Sequence, residues 1–339
     1  MLNKCFILLL FTIFFQCKYE GSRNDKTSQY FTNIENGVQD GNVRTLTIQS
    51  LGKKHKIWTK TIGNNPKTRV LLLQGGPGCT HEYFECFENF LPSEGIEFIY
   101  YDQLGTGNSD NPDDTAYWDL SRYVDELEQV RTQLNLNESN FYLLGHSWGG
   151  ILAMEYAVHH GKNLKALIIS NMMASCPLYD DYAKNVLSKK INPVFLDSIK
   201  TIEKNNDFDN PAYMRILMPN FYNQFICRIP IDQWPEPMTR SFNNINHSLY
   251  VTMQGPSEFG IAGRLEKWDR SLELKNFNMP VLVIGANHDT MDPAYMKWMS
   301  EQIKNSEFVL CSNGSHMCMY DDQEVYFKSL IAFIEKTEM

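Results

Sequence analysis

The chain has 339 residues, of which 43% are hydrophobic and 21% charged, and it carries a formal net charge of -9 with a pI near 5.4. This length suits one large α/β domain with an insertion rather than a small module. The acidic balance argues against nucleic acid or an anionic membrane surface as a partner, and it is compatible with cationic ligands such as free amines.

The N-terminus has the features of an export signal. A basic start at Lys4 precedes the apolar run 6–15, which is too short to span a membrane comfortably. Residues 1–17 are therefore predicted to be a signal peptide. Cys17 resembles a bacterial lipoprotein attachment site, although the residues before it are larger than such sites favour. Residues 18–39 are predicted to be a polar tether, so we expect an exported protein, periplasmic or anchored through lipidated Cys17.

The cysteines beyond this leader are even in number, which permits disulfides in an exported chain, but a domain of this size does not need them. No C-x-x-C motif or Cys/His cluster has zinc-ligand spacing, so no metal or other cofactor is predicted. We interpret the six cysteines as partly buried free thiols. They are Cys79, Cys86, Cys176, Cys227, Cys311 and Cys318.

The first part of the chain alternates strands and helices. Residues 43–50 and 54–60 alternate in polarity and are predicted to form a β-hairpin. Continuous apolar runs then predict buried parallel strands, and apolar residues at three- and four-residue spacing predict helices between them. These strands are 70–74, 96–102, 141–144 and 164–170, and the helices are 80–91, 118–135 and one that begins after Gly149. Residues 40–170 are therefore predicted to form the first part of a mostly parallel, doubly wound sheet.

The pattern changes in residues 171–276, which contain no strong buried strand but many prolines and aromatic residues. We predict that they form a helical cap over the carboxyl edge of the sheet, with most of the aromatic residues packing cap helices together. The sheet pattern resumes in 277–339, with strands at 280–285 and 307–311, helices at 294–303 and 323–336, and a loop at 312–317. The predicted class is α/β, with a sheet of about eight strands and an inserted helical cap.

The stretch 141–157 carries the strongest chemical signal. An apolar strand ends in Gly145-His146-Ser147-Trp148-Gly149, and a helical pattern follows at once. The glycines are needed because a Cβ at either end of so sharp a turn would strike a neighbouring strand or helix. The turn holds the Ser147 Oγ clear of the backbone at the positive end of a helix. Ser147 is therefore a candidate nucleophile, and the alternative is a glycine-rich turn that happens to contain serine.

A serine nucleophile needs a base, and the base needs an orienting acid. Reactive groups in a doubly wound sheet gather beyond the carboxyl ends of the strands, which favours His316 after the last strand and Asp289 after the preceding one. Ser147, Asp289 and His316 then have the chain order of α/β-hydrolases. Asp292 is the rival acid, but it precedes Pro293 and is placed to cap the next helix. The remaining histidines are interpreted as structural or surface residues: His146, His159, His160 and His288.

The tetrahedral intermediate of acyl transfer needs two hydrogen-bond donors for its oxyanion. The Trp148 N–H, directly after the nucleophile, is one candidate. The loop 75–78, with the sequence Gly-Gly-Pro-Gly, is placed to supply the other donor through the Gly76 N–H. Its glycines let the backbone approach the substrate, and its proline stiffens the loop.

Together these motifs resemble the proline iminopeptidase family of α/β-hydrolases. The resemblance rests on GGPG at 75–78, DQLGTGNS at 102–109, GHSWGG at 145–150 and the late Asp and His, and it covers nearly everything from residue 40 onward. It implies an α/β-hydrolase fold and a serine aminopeptidase. Such an enzyme releases an N-terminal residue, preferably proline, from short peptides with a free N-terminus through an acyl-enzyme.

The resemblance extends to the cap segment 250–260. Glu258 matches a family glutamate that binds the free α-amino group of the substrate, and Tyr250 matches a tyrosine near the same amine. A buried carboxylate is a suitable partner for an ammonium group. Without the resemblance, Glu258 would be interpreted as a solvated residue or a salt-bridge partner. The chain departs from the family at Gln74, where a His is usual, and at Thr290, where some members carry a second acidic anchor.

Two other functions are compatible with the same residues. An esterase, lactonase or amide hydrolase of this fold would act on a small non-peptide substrate. A catalytically silent hydrolase fold would serve as a surface binding protein, although the complete set of Ser, Asp, His and glycine-rich loop argues against it. Dehalogenase or epoxide hydrolase chemistry is disfavoured because enzymes of those classes generally use Asp at the nucleophile position.

Overall fold

The computed structural model describes residues 41–205, 207–208 and 210–339. The predicted signal peptide, the tether and the candidate lipidation site at Cys17 lie outside these residues. Within the described ranges, no helix is long and apolar enough to cross a membrane.

The core is an eight-stranded sheet with the order β1-β2-β4-β3-β5-β6-β7-β8. The first two strands form the predicted antiparallel hairpin, β2 pairs antiparallel with β4, and all later neighbours are parallel. The predicted α/β class and the mostly parallel sheet are thus confirmed. The strands are β1 Val43–Ser50, β2 Lys53–Ile62, β3 Arg69–Leu73, β4 Glu97–Tyr101, β5 Phe141–His146, β6 Ala166–Ser170, β7 Val281–His288 and β8 Ser306–Ser315.

The central strands are apolar on both faces because helices cover both sides of a parallel sheet. Every residue of β4, β5 and β6 is buried. In the register, Leu71 of β3 lies between Ile99 of β4 and Leu143 of β5. The carboxyl ends of β5 to β8 therefore lie side by side along one edge, where polar loop residues can meet.

The helices surround this sheet. They are α1 Leu120–Gln133, α2 Trp148–His160, α3 Cys176–Asn185, α4 Pro193–Lys204, α5 Pro211–Leu217, α6 Asn223–Phe225, α7 Glu236–Asn243, α8 His247–Met253, α9 Pro293–Gln302, α10 Cys318–Asp321 and α11 Gln323–Glu338. A π-helical turn, Met218–Tyr222, precedes α6. Short 3₁₀ segments occur at His81–Asn89, Pro92–Glu94, Thr115–Tyr117, Gly161–Asn163, Leu187–Lys190, Ile231–Gln233 and Leu274–Asn276.

Two predicted elements differ in the structure. The α-helix predicted at 80–91 is the 3₁₀ helix His81–Asn89, whose three-residue turn puts Phe84 and Phe87 on the same buried side, with ring centroids 5.2 Å apart. The loop predicted at 312–317 is mostly strand, because β7 and β8 both run further than expected. Their pairing continues past an irregularity at Ala286 to a final pair between His288 and Ser315.

The insertion between β6 and β7 is helical and contains α3 to α8. One isolated bridge, between Ser175 and Asp269, joins its two ends. Many of its aromatic rings pack against one another, as in the contact of Phe221 with Phe225 and Phe259 at centroid distances of 5.1 and 5.2 Å. The six cysteines beyond the leader are all free and fully buried, where partial burial was expected.

Candidate active site

The turn between β5 and α2 forces Ser147 into a strained conformation, with φ 56° and ψ −127°. Two backbone contacts show why glycine flanks it. A Cβ on Gly145 would lie 2.1 Å from the carbonyl oxygen of Gly149, and one on Gly149 would lie 2.0 Å from that of Leu73. The helix can therefore begin directly beside the strands only with glycine at both positions, and the serine is held at its N-terminus.

His316 and Asp289 meet at the ends of β8 and β7. The His316 Nδ1 lies 2.7 Å from the Asp289 Oδ1, and both side chains are buried. Burial alone would lower the pKa of His316, but the charge and hydrogen bond of Asp289, assisted by the charge of Glu258, raise it above its usual value. With Nδ1 engaged, Nε2 is the nitrogen left to face the cavity that Ser147 and His316 both line.

Asp289 is held by more than the histidine. Its Oδ2 accepts a hydrogen bond from the Asn171 Nδ2 at 2.7 Å, and its Oδ1 accepts one from the Met291 N–H at 3.2 Å. Asp292 does not join this group, because its side chain caps α9 by accepting from the Ala294 N–H at 2.9 Å. The rival acid is therefore engaged elsewhere, and Asp289 is the carboxylate beside the histidine.

Asn171 was not predicted as a functional residue. It comes directly after β6, is fully buried and has a φ of 52°. Its Oδ1 accepts from the Ser170 Oγ at 2.8 Å and from the Cys318 Sγ at 3.2 Å, so its amide is fixed with Nδ2 toward Asp289. The signal that could have found it is its place at the carboxyl end of a strand, the same rule that selected Asp289 and His316.

The glycine-rich loop after β3 lies against the serine. A Cβ on Gly75 would be 2.8 Å from the Ser147 Cβ and 3.3 Å from its Oγ. The next peptide bond, Gly76-Pro77, is cis, and Gly76 has a φ of 106°. Among the described residues, neither the Gly76 N–H nor the Trp148 N–H donates to another protein group. Both amides are thus available to a ligand oxygen near Ser147.

A buried pair, Tyr83 and His146, links this loop to the histidine loop. The His146 Nε2 lies 2.9 Å from the carbonyl oxygen of His316, which can only accept, so Nε2 carries the proton. The unprotonated Nδ1 then accepts from the Tyr83 hydroxyl at 3.1 Å, and that hydroxyl accepts from the Gly75 N–H at 2.5 Å. Burial and the nearby charge of His316 lower the pKa of His146 to about 3, which keeps it neutral.

Residues of the cap and of the Ser147 turn line a half-open cavity of about 390 Å³, and Glu258 is one of them. The Tyr250 hydroxyl donates to the Glu258 Oε1 at 2.7 Å, and the Glu258 N–H donates to the Tyr222 hydroxyl at 3.3 Å. Burial raises the pKa of Glu258, while the positive charge of His316 and the Tyr250 hydrogen bond act against that shift. The structure thus brings the predicted amine anchor and the Ser147 site into one cavity.

The structure shows where the two residues that depart from the family pattern, Gln74 and Thr290, lie. The Gln74 Nε2 donates to the Thr106 Oγ1 at 3.2 Å, so this side chain faces the loop after β4 rather than the glycine-rich loop. The Thr290 Oγ1 lies 3.3 Å from both the Asp289 Oδ1 and the His316 Nδ1, and its side chain is buried behind them. Neither residue lines the cavity, so Glu258 meets an incoming amine without a carboxylate at position 290.

This arrangement combines a strained serine, a buried Asp-His pair, two available amides and a carboxylate around one cavity. It can bind an ammonium group and activate a hydroxyl beside it. An acyl group attached to the serine would place its carbonyl oxygen near the two amides. The geometry is therefore suited to acyl transfer from a substrate with a free amine.

Comparisons with known proteins agree with this geometry. Residues 68–190 match the alpha/beta hydrolase fold family. The chain is 53% identical over 280 residues to the proline iminopeptidase of Chitinophaga pinensis, covering 83% of this chain and 94% of that protein. It is 51% identical over 289 residues to that of Flavobacterium johnsoniae, covering 85% and 97%. The crystal structure of the Mycobacterium smegmatis proline iminopeptidase superposes with a TM-score of 0.75 at 26% identity, covering 87% and 98%. The chain therefore belongs to the proline iminopeptidase family.

Proposed function

We propose that this protein is a serine aminopeptidase that releases an N-terminal residue, preferably proline, from short peptides through an acyl-enzyme. One observation carries the proposal: the Glu258 carboxylate lines the same cavity as Ser147 and His316. A simple ester or an N-blocked amide carries no ammonium group for this carboxylate to bind. An aminopeptidase needs such a carboxylate, because the substrate ammonium lies next to the scissile bond.

In the first half of the reaction, the Ser147 Oγ attacks the substrate carbonyl carbon and His316 Nε2 takes its proton. Asp289, bound to Nδ1 at 2.7 Å, fixes the tautomer and stabilises the imidazolium that forms. The amides of Gly76 and Trp148 stabilise the oxyanion of the tetrahedral intermediate. Losing one such donor typically costs about a hundredfold or more in rate.

Collapse of the intermediate breaks the bond between the carbonyl carbon and the leaving nitrogen. His316 returns the proton to that nitrogen, so the shortened peptide leaves as an amine and the first residue remains as an ester on Ser147. Water then attacks the ester carbon with His316 again acting as base. The bond between that carbon and the Ser147 Oγ breaks, His316 gives its proton to the Oγ, and the free amino acid is released. Because the neighbouring His146 stays neutral, His316 is the histidine that carries the proton in both steps.

The amine anchor consists of Glu258 with Tyr250. The Tyr250 hydroxyl donates to Oε1, which fixes the carboxylate and leaves Oε2 to accept from the substrate ammonium. A secondary ammonium, as in proline, offers two protons and fits this site without demanding a second carboxylate. The cap residues over the serine favour short substrates over long chains.

The test is a panel of aminoacyl-naphthylamides, free and N-acetylated, with p-nitrophenyl acetate as an ester reference. We expect prolyl-naphthylamide to be the best substrate, Ser147→Ala to be inactive, and Glu258→Gln to lose mainly free-amine substrates. Equal activity on acetylated substrates would contradict the amine anchor. An ester reaction that greatly exceeds that of every free-amine substrate would favour an esterase.

We also propose that the protein is exported and anchored through lipidated Cys17. The support is the basic start, the apolar run 6–15 and the polar segment 18–39. Radiolabelled palmitate should enter the wild-type protein but not a Cys17→Ala variant, and both should be recovered outside the cytoplasm. Recovery of unlabelled, full-length wild-type protein from the cytoplasm would contradict the proposal.

A further inference from the structure

One wall of the active-site cavity has no part in the chemistry described above. It is formed by Ile231, Trp234, Phe242 and Ile245, which belong to α7 and its flanking segments. This leaving-group wall, as we name these four residues, is separate in sequence from the amine anchor. Its last residue adjoins the glycine-rich loop, because the Ile245 side chain lies 3.5 Å from the Cβ position of Gly78.

The four side chains of this wall are apolar, and Thr239 and Asn243 of α7 line the cavity beside them. The indole N–H of Trp234 donates to the carbonyl oxygen of Ile229 at 2.9 Å, so the polar edge of the ring is already engaged. Trp234 packs edge-to-face against Phe242, with ring centroids 6.1 Å apart. The other two members are isoleucines. A ligand that contacts this wall therefore gains by burying hydrocarbon rather than by forming hydrogen bonds.

The cavity has few groups that could pair with a negative charge, since the imidazoles of His247 and His316 are its basic side chains apart from the neutral His146. Among the described residues that line it, Glu258 is the single carboxylate, and no lysine or arginine is present. A ligand carboxylate in this space would lose its hydration without gaining a lysine or arginine partner, and Glu258 would repel it. A terminal carboxylate or an acidic side chain beside the scissile bond is therefore disfavoured.

The apolar wall and the absence of lysine and arginine from the described lining residues together constrain the part of the substrate beyond the scissile bond. This inference rests on the proposed function. A substrate with its ammonium at Glu258 has its carbonyl carbon two bonds away, at Ser147. Everything beyond that carbon must extend into the rest of the cavity. We propose that the leaving-group wall binds the second residue of the substrate, which is apolar or aromatic, and that the chain continues beyond it as an uncharged amide.

The test compares Pro-Phe-amide, Pro-Gly-amide, Pro-Asp-amide and free Pro-Phe on the wild-type enzyme. We expect kcat/KM for Pro-Phe-amide to exceed that for Pro-Gly-amide and for free Pro-Phe by about tenfold or more, and Pro-Asp-amide to be the poorest. Trp234→Ala and Trp234→Leu should lower the ratio of kcat/KM for Pro-Phe-amide to kcat/KM for Pro-Gly-amide. Trp298→Ala, on the exposed face of α9 outside the cavity, is the matched control and should keep the wild-type preference.

Similar kcat/KM values for the four peptides would overturn the inference while leaving the aminopeptidase function intact. Preference for free Pro-Phe over its amide would overturn the charge argument. Absence of cleavage of all four, together with hydrolysis of p-nitrophenyl acetate, would instead contradict the proposed function itself. If folded Trp234→Ala and Trp234→Leu keep the wild-type preference for Phe, the leaving-group wall is not the source of that preference.

Discussion

Replacement of Asn171 with glycine tests how the active site depends on a residue outside the Ser-Asp-His set. The Asn171 Nδ2 donates to the Asp289 Oδ2 at 2.7 Å, and within the described part of the chain it is the sole protein donor to that oxygen. Glycine removes this donor and accepts the observed φ of 52° without strain. Alanine would remove the same donor but add about 1 kcal/mol of backbone strain.

The size of the effect depends on the charge of the acceptor. A hydrogen bond to a charged group contributes about 1.5–3 kcal/mol, and leaving a buried acceptor unpaired costs a similar amount. Without its donor, the buried Asp289 Oδ2 is left unpaired, so the carboxylate orients and stabilises the His316 imidazolium less well. If the whole contribution is lost in the transition state, kcat falls about ten- to 150-fold.

The assay is steady-state kinetics on prolyl-naphthylamide together with thermal unfolding. KM should stay within about twofold because the amine anchor at Glu258 is unchanged. The matched control is Asn135→Gly, at another asparagine with positive φ (55°) that lies exposed after α1, and it should retain wild-type kcat. A folded Asn171→Gly enzyme with wild-type kcat would refute the assigned role.

Three further predictions test other parts of the site. The negative charge of Glu258 raises the pKa of His316, so Glu258→Gln should lower that pKa. The acid limb of the pH profile of kcat/KM for p-nitrophenyl acetate should then move to lower pH. An unmoved limb would show that the charge of Glu258 does not act on His316. Tyr83→Phe leaves two buried polar groups unpaired and should lower kcat about tenfold with KM unchanged, whereas a rise in KM alone would contradict its positioning role. Gly149→Ala should fail to fold because its Cβ meets a strand carbonyl oxygen. In Gly161→Ala the new Cβ contacts only the methyl group at the end of a methionine side chain, so this control variant should fold. Soluble yield and circular dichroism of the two variants check the prediction.

The sequence was sufficient to predict where the candidate catalytic residues lie, because the fold places them by a simple rule. Parallel strands end at one edge, so residues just past β5, β7 and β8 had to meet, and Ser147, Asp289 and His316 do lie there. The glycines around the serine were informative for a steric reason. A Cβ at Gly145 or Gly149 would overlap backbone atoms, which is a constraint that a motif can record.

Supporting contacts were harder to predict because they join residues far apart in the chain. Asn171 and Asp289 are separated by 118 positions, and Tyr83 and His146 by 63. A single buried asparagine or tyrosine has no spacing pattern, so its partner becomes visible only when the strands are in register. His146 was interpreted as structural or surface, and its role depends on two hydrogen bonds that no local pattern indicates.

Hydrogen bonds join the cap to the glycine-rich loop 75–78 and to Thr80 just after it, so we expect substrate selection and catalysis to change together. The Ser241 Oγ accepts from the Thr80 N–H at 3.1 Å and donates to the Thr80 carbonyl oxygen at 3.0 Å. The Asn246 N–H donates to the Gly78 carbonyl oxygen at 2.9 Å. These bonds come from either side of Phe242, a member of the leaving-group wall. A substrate that displaces this wall therefore strains the loop that carries the Gly76 amide, so a poorly fitting second residue should lower kcat as well as raise KM.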